Sequence, residues 1–200
     1  MIRLILVRHG RTEWSDTHYM GRQDVPLSQA GAADAEALAE VLAAEGPVAQ
    51  IWSSPLQRAR GTAAPLAERC GLPVTVVDEL AEMDYGELQG VAKAERRIHI
   101  RPDHVTEPIP GGESLADVAA RAHRVGQRLA RDVADGHTVV LVGHYRVNQL
   151  LLGELEGRRF DDIVADPVHR PENTSAWAVT CRPGPDGALR ADPGGRWLKG

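Results

Sequence analysis

Cysteine is scarce: Cys70 and Cys181 are the only two in 200 residues. They stand in no metal-type spacing, and a lone pair in a chain of this size is no disulfide framework, so both read as ordinary reduced thiols. An excess of basic charge is also missing. With 23 Lys and Arg against 28 Asp and Glu the net charge is -5, which supplies no basic face for a nucleic-acid backbone or an anionic membrane. Any recognition of phosphate must therefore be local. No apolar run approaches the ~20 residues of a membrane span, and the chain opens in strand-like residues rather than in a secretory leader. The expectation is a soluble, cytoplasmic protein. Linkers and internal repeats are likewise lacking. At 42% hydrophobic, the composition fits one globular domain with a real core, expected over 1–182. The Gly/Pro-rich stretch over 183–200 is expected to be a loosely ordered tail.

What is present begins with Leu4-Ile5-Leu6-Val7, an apolar run of strand length that ends in Arg8-His9-Gly10, with Thr12 two residues on. A continuous aliphatic run suits a strand buried on both faces of a parallel sheet. In open α/β sheets the reactive groups collect beyond the carboxyl ends of such strands. Arg8 offers a planar fork of donors suited to a phosphoryl group, and His9 can be neutral and nucleophilic near pH 7. Gly10 is expected to let the backbone approach whatever binds.

Further along, Ser28 suits the N-cap of a helix carrying Leu38, Val41 and Leu42 on one face and closed by Gly46-Pro47. Val48 to Trp52 reads as a second strand ending in Ser53-Ser54-Pro55, a cap followed by proline at the first helical position. That spacing places Arg58 in the first turn of a helix starting at the strand end, where free N–H groups and the helix dipole favour an anion. The helix runs through Ala63 and Leu66 to Gly71, and Val74 to Val77 reads as a third strand. Glu79 to Gly90 is a loop dense in carboxylates, any of which could serve as a proton donor. Arg96 to Pro110 reads as a loop or lid, and its His99 and His104, five apart with no further ligands, make no metal site. Gly112-Glu113-Ser114 opens a long helix with Leu115, Val118, Ala122, Val125 and Leu129 on one stripe. Thr138 to Val142 is a second clearly buried strand, followed at once by Gly143-His144, so two strands deliver histidines to one edge of the sheet. Val147 to Leu155 reads as helix, then a polar connection leads through Asn173-Thr174-Ser175 into a late strand, Ala176 to Cys181. Strands alternating with helices give a parallel sheet covered on both faces.

Taken together these motifs resemble the histidine phosphatase superfamily, also called the phosphoglycerate mutase-like family, over about Leu4 to Ala178. The resemblance rests on Arg8-His9-Gly10 with Thr12; Gly21 to Ser28; Ser53-Ser54-Pro55-Leu56-Gln57-Arg58-Ala59; Glu82 with Tyr85-Gly86 and Gln89-Gly90; Gly112-Glu113-Ser114; and Val142-Gly143-His144. It implies an α/β fold, a three-layer αβα sandwich with a mostly parallel central sheet. It implies that His9 attacks phosphorus and is itself phosphorylated, while Arg8, Arg58 and His144 hold the phosphoryl oxygens. Glu82 would be the general acid and base, with Asp84 and Glu79 as alternatives. Thr12, Ser15, Gly21 and Tyr145 would join Arg8, Arg58 and His144 around the phosphate and substrate. No metal and no other cofactor is implied, because the cationic side chains take the metal's place.

Two departures stand out from that pattern. Ser15 occupies the place of an asparagine, and Tyr145-Arg146 follow the second histidine where small residues are usual, so this pair is expected to shape substrate choice. The resemblance leaves a metabolite phosphatase, a phosphoglycerate mutase and a non-catalytic phosphate-binding module open. Only about twenty residues separate Gly90 from Gly111, where mutases usually carry a longer insertion that excludes water, which favours hydrolysis; Arg96-Arg97 keeps the mutase in view. The expected partner is a small phosphorylated substrate, with a homodimer possible and neither nucleic acid nor membrane involved.

Overall fold

The computed structural model describes residues 1–96, 106–165 and 172–199. His99, His104 and Arg97 fall outside the described residues. The aliphatic run at the N-terminus forms β1 (Ile2–Arg8), which lies between β4 (Thr138–Gly143), parallel to it, and β5 (Ala176–Pro183), antiparallel to it. β2 (Gln50–Ser53) continues the parallel sheet on the far side of β4, and β3 (Val74–Val76) forms its edge. On the other side β6 (Leu189–Ala191) and β7 (Arg196–Lys199) both pair antiparallel with β5. Among the described residues six of the seven strands therefore run in one direction and only β5 opposes them.

Alternation along the strands divides the core. Ile5, Val7, Ile51, Val140 and Val142 face the pair α1 (Gln29–Ala44) and α2 (Gln57–Cys70). Leu4, Leu6, Trp52, Val139 and Leu141 face α3 (Leu115–Asp132) and α4 (Tyr145–Leu155). A sheet buried on both faces is the reason its strands are continuously apolar rather than alternating apolar and polar. The result is the expected three-layer αβα sandwich. Helix ends follow local chemistry: the Ser28 side chain accepts from Gly31 N–H, Ser114 and Asp117 form a capping box, and Gly71 takes the left-handed conformation (φ 64°) that closes α2.

Four expectations need correction. α2 starts at Gln57 rather than at Pro55, because Ser54 is drawn into another role described below. α4 starts at Tyr145, immediately after His144. The polar connection after α4 contains a short helix, α5 (Phe160–Ala165), which docks Ile163 into the core beside α4. The stretch from 183 onward is not a loose tail, since β6 and β7 extend the sheet, Leu189 is buried, and Trp197 packs edge-on against Trp177 at 4.9 Å. Strands of three and four residues separated by Gly and Pro are too short to show periodicity, and it is the open edge of β5 that orders them. Both cysteines are free; burial pushes the Cys181 thiol up to about 12. Among the described residues no helix is long and apolar enough to cross a membrane.

Candidate active site

β1 and β4 are neighbours in the sheet but distant in sequence, and their carboxyl ends lie side by side, Arg8 opposite Gly143. A crevice opens at such a switch point. His9 and His144 follow directly, and their rings come within 4.9 Å, tilted by 57°. The backbone of His9 is tied to β4 by its N–H to the Gly143 carbonyl (3.1 Å). From the other side Asn173 Nδ2 donates to the His9 carbonyl (2.9 Å), and the Thr174 N–H donates to the carbonyls of Arg8 (3.1 Å) and His9 (3.3 Å). Thr174 is the one non-glycine residue at positive φ (59°) among the described residues, a strained conformation for a β-branched side chain.

Both nitrogens of His9 are accounted for. Nδ1 lies 2.7 Å from the Gly10 carbonyl, an acceptor only, so Nδ1 carries the proton. Nε2 then holds the lone pair and accepts from Arg58 Nε at 3.3 Å. His9 is 2% exposed; burial first, then the charges of Arg58 and Arg8, hold its pKa well below the ordinary histidine value, outweighing the Gly10 hydrogen bond. His144, fully buried, is held low in the same way by burial and by Arg58, His9 and Arg8. Its Nε2 lies 2.7 Å from Ser54 Oγ, and that hydroxyl also accepts from Leu56 N–H (3.2 Å).

Arg58 reaches this centre from the first turn of α2. Its terminal nitrogens donate to the carbonyls of Gln23 and Gly21, both at 2.7 Å. Burial lowers its pKa to about 10 while the charges of Glu82 and Asp24 work against that, so it stays a cation at neutral pH. Arg8 is likewise lowered by burial and held up by Glu82. The Glu82 carboxylate is itself buried and accepts from Met83 N–H (2.9 Å) and from the Arg146 N–H (3.2 and 3.4 Å to its two oxygens). Arg146 N–H is one of the donors left without an intrahelical partner at the start of α4, so a helix end fixes the acid.

The remaining expected positions are placed as follows. Thr12 and Ser15 are buried in the loop after β1, with Ser15 Oγ accepting from Thr12 N–H (2.9 Å) and the two hydroxyls 3.3 Å apart. Gly21, at φ 51°, contributes its carbonyl to Arg58. Gly10 is also required by packing: a Cβ there would meet the Gly31 carbonyl at 2.7 Å, at the start of α1. Tyr145 has its ring within 5.8 Å of the Arg8 guanidinium carbon and 4.8 Å of that of Arg146. Of the two alternatives to Glu82, Asp84 accepts through Oδ1 from Gly86 N–H (2.8 Å), and Glu79 gives its backbone carbonyl to Arg121 (2.7 Å). Among the described residues no group of three or more His, Cys, Asp or Glu side chains is placed to hold a metal ion.

Several supporting residues were missed. The sequence suggests a helix cap at Ser54 and a strand lead-in at Asn173, not these contacts. Thr62 lies within a helix pattern, yet its Oγ1 accepts from Gly10 N–H (2.9 Å) and donates to the Arg58 carbonyl (2.7 Å), coupling the two motifs. Arg121, 7% exposed on the apolar face of α3, donates to the carbonyls of Glu79 (2.7 Å), Ala81 (2.8 Å) and Glu82 (3.3 Å) and forks onto Glu113 (2.9 Å to each oxygen). A charge interrupting an apolar stripe was the one signal in the sequence for it.

An imidazole in a fixed tautomer, the buried Arg58 and the half-buried Arg8, a second imidazole and a carboxylate are thus gathered at the carboxyl ends of β1 and β4. The family model of the histidine phosphatase superfamily (branch 1) matches residues 4–186. The chain belongs to this superfamily. A phosphoglycerate mutase of Methylobacterium that depends on 2,3-bisphosphoglycerate is 36% identical over 174 residues, 80% of this chain and 83% of that protein. A bifunctional protein of Mycobacterium tuberculosis is 39% identical over 158 residues, 75% of this chain, but the match spans only 43% of that longer protein. Among solved structures, the mycobacterial glucosyl-3-phosphoglycerate phosphatase superposes with a TM-score of 0.82 at 32% identity, covering 95% of this chain and 96% of that one.

Proposed function

We propose that this histidine phosphatase family member is a metal-independent phosphomonoesterase that hydrolyses a small phosphorylated metabolite through a phosphohistidine on His9. The observation that carries the reading is the state of the His9 ring: Nδ1–H is bound to the Gly10 carbonyl and the Nε2 lone pair is turned to the arginine side of the crevice. In the first step Nε2 attacks phosphorus, the N–P bond forms, the ester P–O bond breaks, and Glu82 gives its proton to the leaving alkoxide. In the second step Glu82 takes a proton from water, the water oxygen attacks phosphorus, the N–P bond breaks, and inorganic phosphate leaves with His9 neutral again. Arg8, Arg58 and His144 hold the equatorial oxygens and the charge that develops on them, which is where most of the rate enhancement of phosphoryl transfer arises. Thr12, Ser15 and Gly21 shape the loop that supports Arg58 and the phosphate. Low histidine pKa values serve this scheme, because an imidazolium has no lone pair with which to attack.

Hydrolysis is favoured over mutase action by two observations. A solved structure that matches over nearly its whole length at 32% identity is a phosphatase. The segment between Gly90 and Gly111 is only about twenty residues, a short cover for a site that would have to keep water out until the phosphoryl group is returned. The mutase reading is supported by the 36% identity to the Methylobacterium enzyme. One experiment tests both: phosphate release from a panel of phosphorylated metabolites by wild type and His9→Ala, with 3-phosphoglycerate isomerisation scored in the same tubes. Release that disappears in His9→Ala, with acid-labile, base-stable phosphorylation of the wild-type protein, is the expected outcome. Isomerisation that requires a bisphosphorylated primer, without release, would replace the phosphatase by the mutase.

A further inference from the structure

Arg146 is a half-buried cation with no carboxylate in ion-pair reach of its side chain among the described residues. Three other arginines withdrawn from solvent have one, Arg121 with Glu113 at 2.9 Å, Arg158 with Glu156 at 3.8 Å, and Arg3 with Glu45, while the buried Arg58 gives its terminal nitrogens to the Gln23 and Gly21 carbonyls. Arg146 instead donates to the neutral Gln149 amide oxygen (3.0 Å) and is hydrogen-bonded to Tyr85, whose hydroxyl is held far above its usual value by burial and by the Glu82 charge. Its Nε is buried and has no hydrogen-bond partner among the described residues. Withdrawing a guanidinium from water with donors left over is unfavourable unless something supplies acceptors. The place where this happens is specific. Arg146 occupies the first turn of α4, its own N–H holds the Glu82 carboxylate, and its guanidinium lies against the Tyr145 ring, whose other cationic neighbour is Arg8. One aromatic ring therefore lies beside both the arginine assigned to the phosphate and an arginine with no anion among the described residues. Tyr145 offers its ring to both guanidiniums.

We infer that the substrate carries a second anionic group beside its phosphomonoester, and that the Arg146 side chain is the specificity-determining residue that binds it. The inference rests on the phosphatase reading for its direction, since the alcohol that leaves must then bear that second charge. The shared chemistry is an oxyanion matched to the planar guanidinium fork, either a carboxylate or a second phosphate. Lys93 is the competing cation near the mouth of the crevice. It differs in being tied to the Ser15 carbonyl (3.0 Å) with the charge of Asp16 close by.

The test uses matched pairs of esters: 3-phosphoglycerate against glycerol 3-phosphate, which differ in a carboxylate, and fructose 1,6-bisphosphate against fructose 6-phosphate, which differ in a phosphate. The quantity read is the ratio of kcat/KM within each pair, so a general loss of activity in a variant cancels. In wild type at least one ratio is expected to favour the doubly charged ester. In Arg146→Gln and Arg146→Ala that ratio is expected to fall roughly ten- to hundredfold, as the loss of a charge-assisted hydrogen-bonded contact gives, with Arg146→Lys retaining part of it. Which pair responds identifies the anion as carboxylate or phosphate. A ratio near one in wild type, a ratio that all three variants leave unchanged, or a ratio that collapses in Lys93→Met instead would overturn the inference. Dissociation constants of the same esters with His9→Gln, which cannot turn over, read the same preference without catalysis. Failure of His9-dependent release from every ester, p-nitrophenyl phosphate included, would sink the phosphatase reading, while the binding ratio would still decide the role of Arg146.

Discussion

At the scale of single residues, the chemistry turns on which nitrogen of His9 holds a proton. The Gly10 carbonyl at 2.7 Å can only accept, and two arginine charges with full burial oppose a second proton on the ring. His144 is kept neutral by the same surroundings. Long-range 1H–15N spectra of the imidazoles at about pH 6, below the ordinary histidine value near 6.5, are therefore expected to show two neutral rings, His9 as the Nδ1–H tautomer. An imidazolium signal from either residue at that pH would contradict the electrostatics described here. Ser54 gives a second test at this scale. It joins His144 Nε2 to the Leu56 N–H, and all three groups are buried. Ser54→Ala leaves a ring nitrogen without its partner, a cost of about 1–3 kcal/mol. If that cost falls on the reaction, kcat/KM drops roughly five- to 150-fold. A purely structural serine would instead lower the unfolding midpoint and leave the kcat/KM of the folded protein intact.

At the scale of elements, the acid loop has little regular structure, two single turns of 3-10 helix at Asp78–Leu80 and Gly86–Leu88, yet the proposed mechanism requires it to hold Glu82 still. Arg121 does this from α3 by gathering three loop carbonyls, while Glu113, at the entry to that helix, accepts from Arg121, Arg22 and the Asp84 N–H. Burial alone would raise the Glu113 carboxyl; the Arg121 and Asp84 hydrogen bonds and the two arginine charges carry it below its usual range. Arg121→Lys keeps the charge and loses the fork. The expected result is a kcat about tenfold lower with KM little changed, because the loop still forms but presents Glu82 less rigidly. Equal losses in kcat and thermal stability, with the remaining folded fraction fully active, would assign Arg121 to folding alone. This network also marks the limit of what the sequence discloses. Arg8, His9, Arg58 and His144 were legible because strand ends and a helix start fix their positions within a few residues. Arg121, Thr62 and Asn173 act through contacts between elements far apart in sequence, and no spacing encodes those. The start of α2 was misplaced for a related reason, since the preference of Ser54-Pro55 for a helix cap was overridden by the demand of His144 for a partner.

At the scale of the whole molecule, the crevice exists because β1 and β4 are adjacent while α1 with α2 and α3 with α4 cover opposite faces of the sheet. The layers and the parallel centre were legible from continuous aliphatic runs; the strands after β5 were not, because their order depends on an edge that only the assembled sheet provides. That assembly buries His9 and His144 in their neutral forms, which couples stability to pH. Their folded pKa values lie well below the ordinary value, so as pH falls through about 6.5 the unfolded chain takes up protons that the folded chain refuses. Stability is thus full above that range and is lost progressively on acidification, by at most about 1.4 kcal/mol per pH unit for each histidine, until the folded values are passed. Urea unfolding at about pH 7.5, 6.5 and 5.5 should show this decline, and the double variant His9→Gln/His144→Gln should show a shallower one. An equal slope in the double variant would mean that other groups dominate the acid response and that the two rings titrate alike in the folded and unfolded chain. Inorganic phosphate or vanadate, by binding the folded crevice, should raise the midpoint of wild type at every pH, and this gain should be reduced in Arg58→Met.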